Sequence, residues 1–185
     1  RGDASVTYFD RTDDTQDATD AFRLDCKSDG TDDIEGICPR GSRLGVSPYQ
    51  SLRLIGLPVE PTGIAASDDG KAIVTVHQTG GTSTQTGGQA SLLVNPALGT
   101  PTLEFVLGGL PDYPQDVAAI PTSRYVQLKN EQGQNFDYRP GFLVTFRAAR
   151  EVDLLRYFDD SSGTSRHFLQ RVNAFTIATN SDGSD

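Results

Sequence analysis

The sequence has no methionine and no tryptophan, and only two cysteines and two histidines among 185 residues. No apolar run approaches the roughly 18 residues that a membrane-spanning helix needs, which excludes such a helix. No basic, apolar leader stands at the start, and a chain that begins at Arg1 without any Met reads as a processed product or an excised piece. With so few Cys and His, and no CxxC, a zinc cluster is not expected. Bases are outnumbered, 16 Lys+Arg against 25 Asp+Glu, and the net charge of −9 argues against nucleic acid and anionic membranes as partners. Helical periodicity is nearly missing. Its best stretch is Ala148 to Tyr157, where Val152, Leu154 and Tyr157 fit a strand equally well.

What the chain does have is short runs of Val, Ile, Phe, Tyr and Thr between clusters of Gly, Pro, Asp and Ser. That pattern predicts an all-β fold. Its length suits one domain, or part of a larger one. The acidity is local: residues 1–35 hold 11 Asp+Glu against 4 Lys+Arg, a net of −7 out of −9. The stretch Asp10 to Glu35 reads as a solvated loop whose self-repulsion is relieved by water or by a cation. Asp25, Asp29, Asp32, Asp33 and Glu35 are the candidate calcium ligands, since calcium takes several oxygens from one turn-rich loop. The stretch departs from an EF-hand, with Lys27 where an oxygen ligand is needed and Gly36 where the bidentate Glu belongs. Cys26 and Cys38 flank the second half of the same acidic stretch. A disulfide closing this polar loop is the preferred reading, with two free thiols as the alternative, and it favours an extracytoplasmic location.

The chain also echoes itself. Leu54-Ile-Gly56-Leu57-Pro58-Val-Glu-Pro61 matches Leu107-Gly-Gly109-Leu110-Pro111-Asp-Tyr-Pro114 at an offset of 53. Ile64 to Gly70 resembles Ile177 to Gly183, and Val6-Thr7-Tyr8, Val74-Thr75-Val76 and Val144-Thr145-Phe146 resemble one another. A unit of four strands recurring about three times is the expected organisation. In the best-preserved unit the strands are expected at Gly63–Ser67, Ala72–His77, Ala90–Asn95 and Thr102–Leu107. Asp68-Asp69-Gly70 makes the first turn and Thr79–Gln89 an exposed loop. The first unit's last strand is expected near Leu52–Ile55. In the third unit Leu154–Phe158 is expected as an outer strand.

The stretch Pro61-Thr-Gly63-Ile64-Ala65-Ala66-Ser67-Asp68-Asp69-Gly70-Lys71-Ala-Ile73-Val74-Thr75 resembles the blade consensus of the YVTN/lactonase-like β-propeller superfamily. The resemblance implies about three four-stranded antiparallel blades: residues 1–58 with the acidic loop inserted, 59–113, and 114–163 with an insertion at 123–139. Residues 164–185 would be the first strand of a further blade. Thr62–Ala66, Asp116–Ile120 and Ala174–Ala178 would be the innermost strands. Three blades do not close a ring, so the remaining blades are expected from a longer parent chain or another subunit.

No Gly-x-Ser-x-Gly elbow is present, and no catalytic residue is assigned. His77 and His167 have no metal-ligand companions at useful spacing and read as strand-end residues. Arg1-Gly2-Asp3 matches an integrin-binding tripeptide that also recurs by chance. In the insertion, Arg124, Tyr125, Phe136, Tyr138 and Arg139 are the candidate binding residues, because Arg and aromatics anchor interfaces and inserted loops carry recognition. The leading functional expectation is a non-catalytic extracytoplasmic scaffold that presents loops to a partner. The alternatives are a lactonase-like or dehydrogenase-like enzyme with a metal or cofactor in the channel, and a structural subunit of a cell-surface assembly.

Overall fold

The computed structural model describes residues 53–78, 87–94, 101–121, 140–160 and 166–177. It also describes the backbone of four short strands, β1 (Ser5–Thr7), β2 (Asp10–Arg11), β3 (Leu24–Asp25) and β4 (Arg43–Gly45). β1 pairs antiparallel with β4, and β2 with β3. The rest of the described chain is two sheets, each a four-stranded antiparallel meander. The first runs β5 (Pro61–Ala66), β6 (Ala72–His77), β7 (Gly88–Val94) and β8 (Thr102–Leu110). The second runs β9 (Pro114–Ala119), β10 (Gly141–Phe146), β11 (Glu151–Asp160) and β12 (Arg166–Thr176). No helix occurs among the described residues, and Ala148–Tyr157 resolves into a bend and the start of β11.

The β5–β6 turn forms as its residue types require. Gly70 sits at φ 68, and the Ser67 hydroxyl donates to Asp69 Oδ1 at 2.6 Å while the Lys71 N–H donates to the same oxygen at 3.1 Å. Partial burial works against the Asp69 charge, but these donors and Lys71 hold its carboxyl below the usual range. β7 is buried at every position, including Gly88 and Gln89, which the sequence alone assigns to an exposed loop. The cause is cover on both faces of the first sheet, which removes the usual alternation.

The two sheets are true repeats, and their irregularities coincide. Glu60 and Tyr113, equivalent positions of the two repeats, both adopt φ 57. The Glu60 carbonyl accepts from Gln78 N–H and the Tyr113 carbonyl from Arg147 N–H, at 3.1 and 3.0 Å. A bulge separates Pro61 from Gly63 opposite His77 and Val76, and another separates Pro114 from Asp116 opposite Phe146 and Thr145. A second shared bulge leaves Glu104 on β8 and Val172 on β12 outside the register. Pairing thus equates Val74 with Leu143, and not with Val144 as the Val-Thr echo suggests. The echo aligned composition one residue out of register, and one residue in a strand is a change of face.

Face by face, the packing runs head to tail. Val74, Val76, Ala90 and Leu92 of the first sheet bury against Phe142, Val144, Leu155 and Tyr157 of the second. Ile73 and Leu93, on the first sheet's other face, join Leu57 and Leu103 in a separate cluster. Their repeat partners Phe142 and Leu155 lie between the sheets. Likewise Leu57 packs on the far side of the first sheet, whereas Leu110, its repeat counterpart, packs between the two. The seam is tightest at the first strands. Thr62 Oγ1 donates to the Pro114 carbonyl at 2.8 Å, and a Cβ on Gly63 would stand 2.8 Å from Asp116 Oδ1 and 3.0 Å from Asp116 Cα. Gly63 and Asp116 are themselves repeat partners.

Three expectations need correction. Residues 53–55 are not a strand, because Leu54 turns the backbone to φ 56. Leu154–Phe158 belongs to β11, an interior strand with β12 outside it. Ala174–Thr176, expected in the innermost strand of a further unit, ends β12 and pairs with Glu151–Asp153, so residues 166–176 complete the second sheet.

Candidate functional site

Of the residues singled out in the sequence, Cys26, Cys38, Asp29, Asp32, Asp33 and Glu35 lie outside the described residues. So do Arg124, Tyr125, Phe136, Tyr138 and Arg139. Asp25 is described only through its backbone, at the end of β3, where it pairs with Asp10. Among the described residues no group of three His, Cys, Asp or Glu side chains could hold a metal ion.

His77 is fully buried at the end of β6. Its Nε2 lies 2.8 Å from Ser91 Oγ on β7, while Nδ1 lacks a full hydrogen bond and is turned toward the Pro58 and Val59 carbonyls. Burial drives its pKa down to about 4, against the pull of those carbonyls, so the ring is neutral at pH 7. A serine–imidazole pair of this kind resembles a nucleophile and its base. With His77 and Ser91 both at zero exposure, this one packs the sheet and offers a substrate no approach.

His167, on β12, behaves differently. Tyr157 Oη lies 2.7 Å from its Nδ1, Asp159 Oδ1 lies 3.5 Å from the same nitrogen, and the two rings stack. Burial, then the charges of Asp159, Asp69 and Glu104, raise the Tyr157 hydroxyl to about 12, so it stays protonated and can donate to Nδ1.

His167 lines a cleft of about 380 Å³ at the outer seam of the sheets, together with Arg53, Glu104 and Phe105 from one side and Phe168 from its own strand. Glu104 is the β8 bulge residue, and the bulge re-aims its side chain. Its Oε2 accepts from Arg53 Nε at 2.7 Å and its Oε1 from Thr102 Oγ1 at 2.8 Å. Burial opposes the charge, yet these donors, with Arg53 and His167 nearby, keep the carboxyl below its ordinary range. Phe168 stacks on Phe158 at 5.0 Å and meets the edge of Phe105 at 6.4 Å. Aromatic walls with a fixed carboxylate, a guanidinium and an imidazole suit recognition of a small ligand or a side chain, in a volume at the low end for such sites. Sequence reading missed this cleft, because β8 and β12 meet only through sheet packing. The one local signal was Glu104 inside an otherwise apolar strand.

A second polar feature is internal. Asp153 on β11 is fully buried on the face toward the first sheet, at the position that Ser91 holds in that sheet. Arg171 Nη2 donates to its Oδ1 at 2.8 Å, and Arg171 Nε stands 2.8 Å from its Oδ2. Burial raises the Asp153 pKa, and Arg171 restrains the rise.

No protein-family model matches the chain, and neither a curated protein nor a solved structure resembles it closely enough to count as a match. Function is therefore read from geometry.

Proposed function

We propose that this chain is a non-catalytic scaffold of the β-propeller type, whose four-stranded sheets follow one another around an axis lined by β5 and β9. The observation that carries this reading is the head-to-tail relation of the repeats. Leu57 and Leu110 serve successive sheet interfaces, and the partners Gly63 and Asp116 touch each other on the first strands. A closed two-sheet sandwich would bring equivalent faces together, whereas rotation about an axis packs the front of each sheet on the back of the next.

As a scaffold it binds through surfaces held by rigid sheets. The cleft at Arg53, Glu104, Phe105, His167 and Phe168 is the built recognition feature among the described residues. The Cys26–Cys38 spacing supports a location outside the cytoplasm. Electron microscopy of the purified particle tests the reading. Sheets radiating from an axis with β5 and β9 innermost support it, and a closed sandwich with those strands at the periphery overturns it.

A further inference from the structure

The cleft between β8 and β12 combines the two elements that recognise an organic cation, an aromatic wall and a fixed carboxylate. Phe105 and Phe168 supply the wall, each only partly buried, and Phe158 stacks on Phe168 at 5.0 Å. The π face of such a ring is negative and attracts a cation. Glu104 supplies the carboxylate, with its side chain only 9% exposed. Each of its oxygens accepts one hydrogen bond, from Arg53 Nε and from Thr102 Oγ1. A carboxylate can accept about four, so each oxygen keeps capacity for a donor in the cleft.

The surrounding field has the same sign. The charges of Asp159, Asp69 and Glu104 all bear on the Tyr157 hydroxyl, which lies 2.7 Å from His167 Nδ1. Asp159 stands half exposed beside His167, and Lys71 meets Asp69 only at 4.0 Å. Among the described residues no three such groups gather tightly enough to hold a metal ion. Carboxylates set apart beside aromatic rings suit a broad, delocalised cation more than a point charge. The chain also supplies its own example. The Arg53 guanidinium, with the side chain 44% exposed, already lies on Glu104 in this cleft.

From this we infer that the cleft binds the guanidinium group of a ligand, laid against Phe168 and donating to Glu104 beside Arg53. The inference rests on the reading of this cleft as the recognition feature. A guanidinium is planar and weakly hydrated, stacks on aromatic faces and forks onto carboxylates, whereas an ammonium is a compact, strongly hydrated charge. A free arginine derivative and an arginine of a partner chain both carry it.

Amide NMR spectra of the full chain, titrated with Nα-acetyl-arginine amide to millimolar concentration, test it. Saturable shifts are expected at Glu104, Phe105, His167 and Phe168. Glu104→Gln is expected to weaken binding about tenfold, and Phe168→Leu, which keeps an apolar side chain, about threefold. Asp112→Asn, which removes an exposed charge outside the cleft, is expected to bind as wild type. Circular dichroism establishes that each variant is folded. Tighter binding of the acetylated, amidated peptide Gly-Gly-Arg-Gly-Gly assigns the guanidinium to a partner chain, and equal or weaker binding assigns it to a small molecule. Absence of saturable shifts overturns the inference, as does a Glu104→Gln variant that binds like wild type. So does equal or tighter binding of the acetylated amides of lysine, norleucine or glutamate. Failure of the arginine probe leaves a particle of radiating sheets untouched, whereas a closed sandwich sinks the propeller reading and not the binding.

Discussion

At the scale of single residues, burial decides what the polar side chains do. His77 titrates near 6.5 when unfolded and near 4 when folded, so between these values the unfolded chain binds the extra proton. The stability tied to a neutral His77 is complete above about pH 6.5 and is lost as pH falls toward 4, by up to about 3 kcal/mol. Urea midpoints from pH 7 to pH 4 should fall more steeply for wild type than for His77→Gln, and parallel curves would refute the assignment. Asp153 gives a second case with an opposite pH trend. Arg171→Met leaves a buried carboxylate without its partner, at an expected cost of about 3 kcal/mol near pH 7. The same penalty should shrink toward pH 4, because Asp153, already raised by burial, then protonates and sheds the uncompensated charge. A penalty that stays constant across that range would show that Arg171 acts through packing alone.

At the scale of elements, strand identity was largely legible and sheet membership was not. β6 was readable to the residue, since Ile73-Val-Thr-Val76 is β-branched throughout and bounded by Asp-Gly on one side. The Pro61 and Pro114 repeats marked both first strands, and the structure shares even their bulges. What no local pattern carries is which strands lie together. β12 reads like the start of another unit, yet it pairs along β11 from Glu151 to Asp160. For the same reason the β8–β12 cleft was invisible, since Glu104 and His167 are distant in the chain and meet only through packing. Register at the seam is also where a small change tells most. Gly63→Val should destabilise by about 1–3 kcal/mol through the clash at Asp116. Asp116→Ala should rescue it only in part, because Asp116 Cα and Val117 N stand at 3.0 Å as well. Full rescue in thermal melts would mean that the strands are further apart than described.

At the scale of the whole molecule, the shared core makes the two sheets one cooperative unit. Phe142 is fully buried between them, in a cluster that draws on every strand from β6 to β12. Neither sheet can open this face without exposing the other, since each supplies half of the apolar area that stabilises the pair. Truncating the ring removes its transfer free energy and leaves a cavity that both sheets line. Phe142→Ala should therefore cost about 3–5 kcal/mol. More diagnostic than the size is where the loss is felt. Native-state hydrogen exchange should show the amides of β6 and β7 losing protection along with those of β10 and β11, by the same free energy. Leu103→Ala, in the separate cluster with Leu57 and Leu93, should act first on the rear of the first sheet, where the 55–59 segment packs. If Phe142→Ala instead loosens only the second sheet, the sheets are independent modules that touch, and a scaffold built by adding further sheets to a common core loses its physical basis.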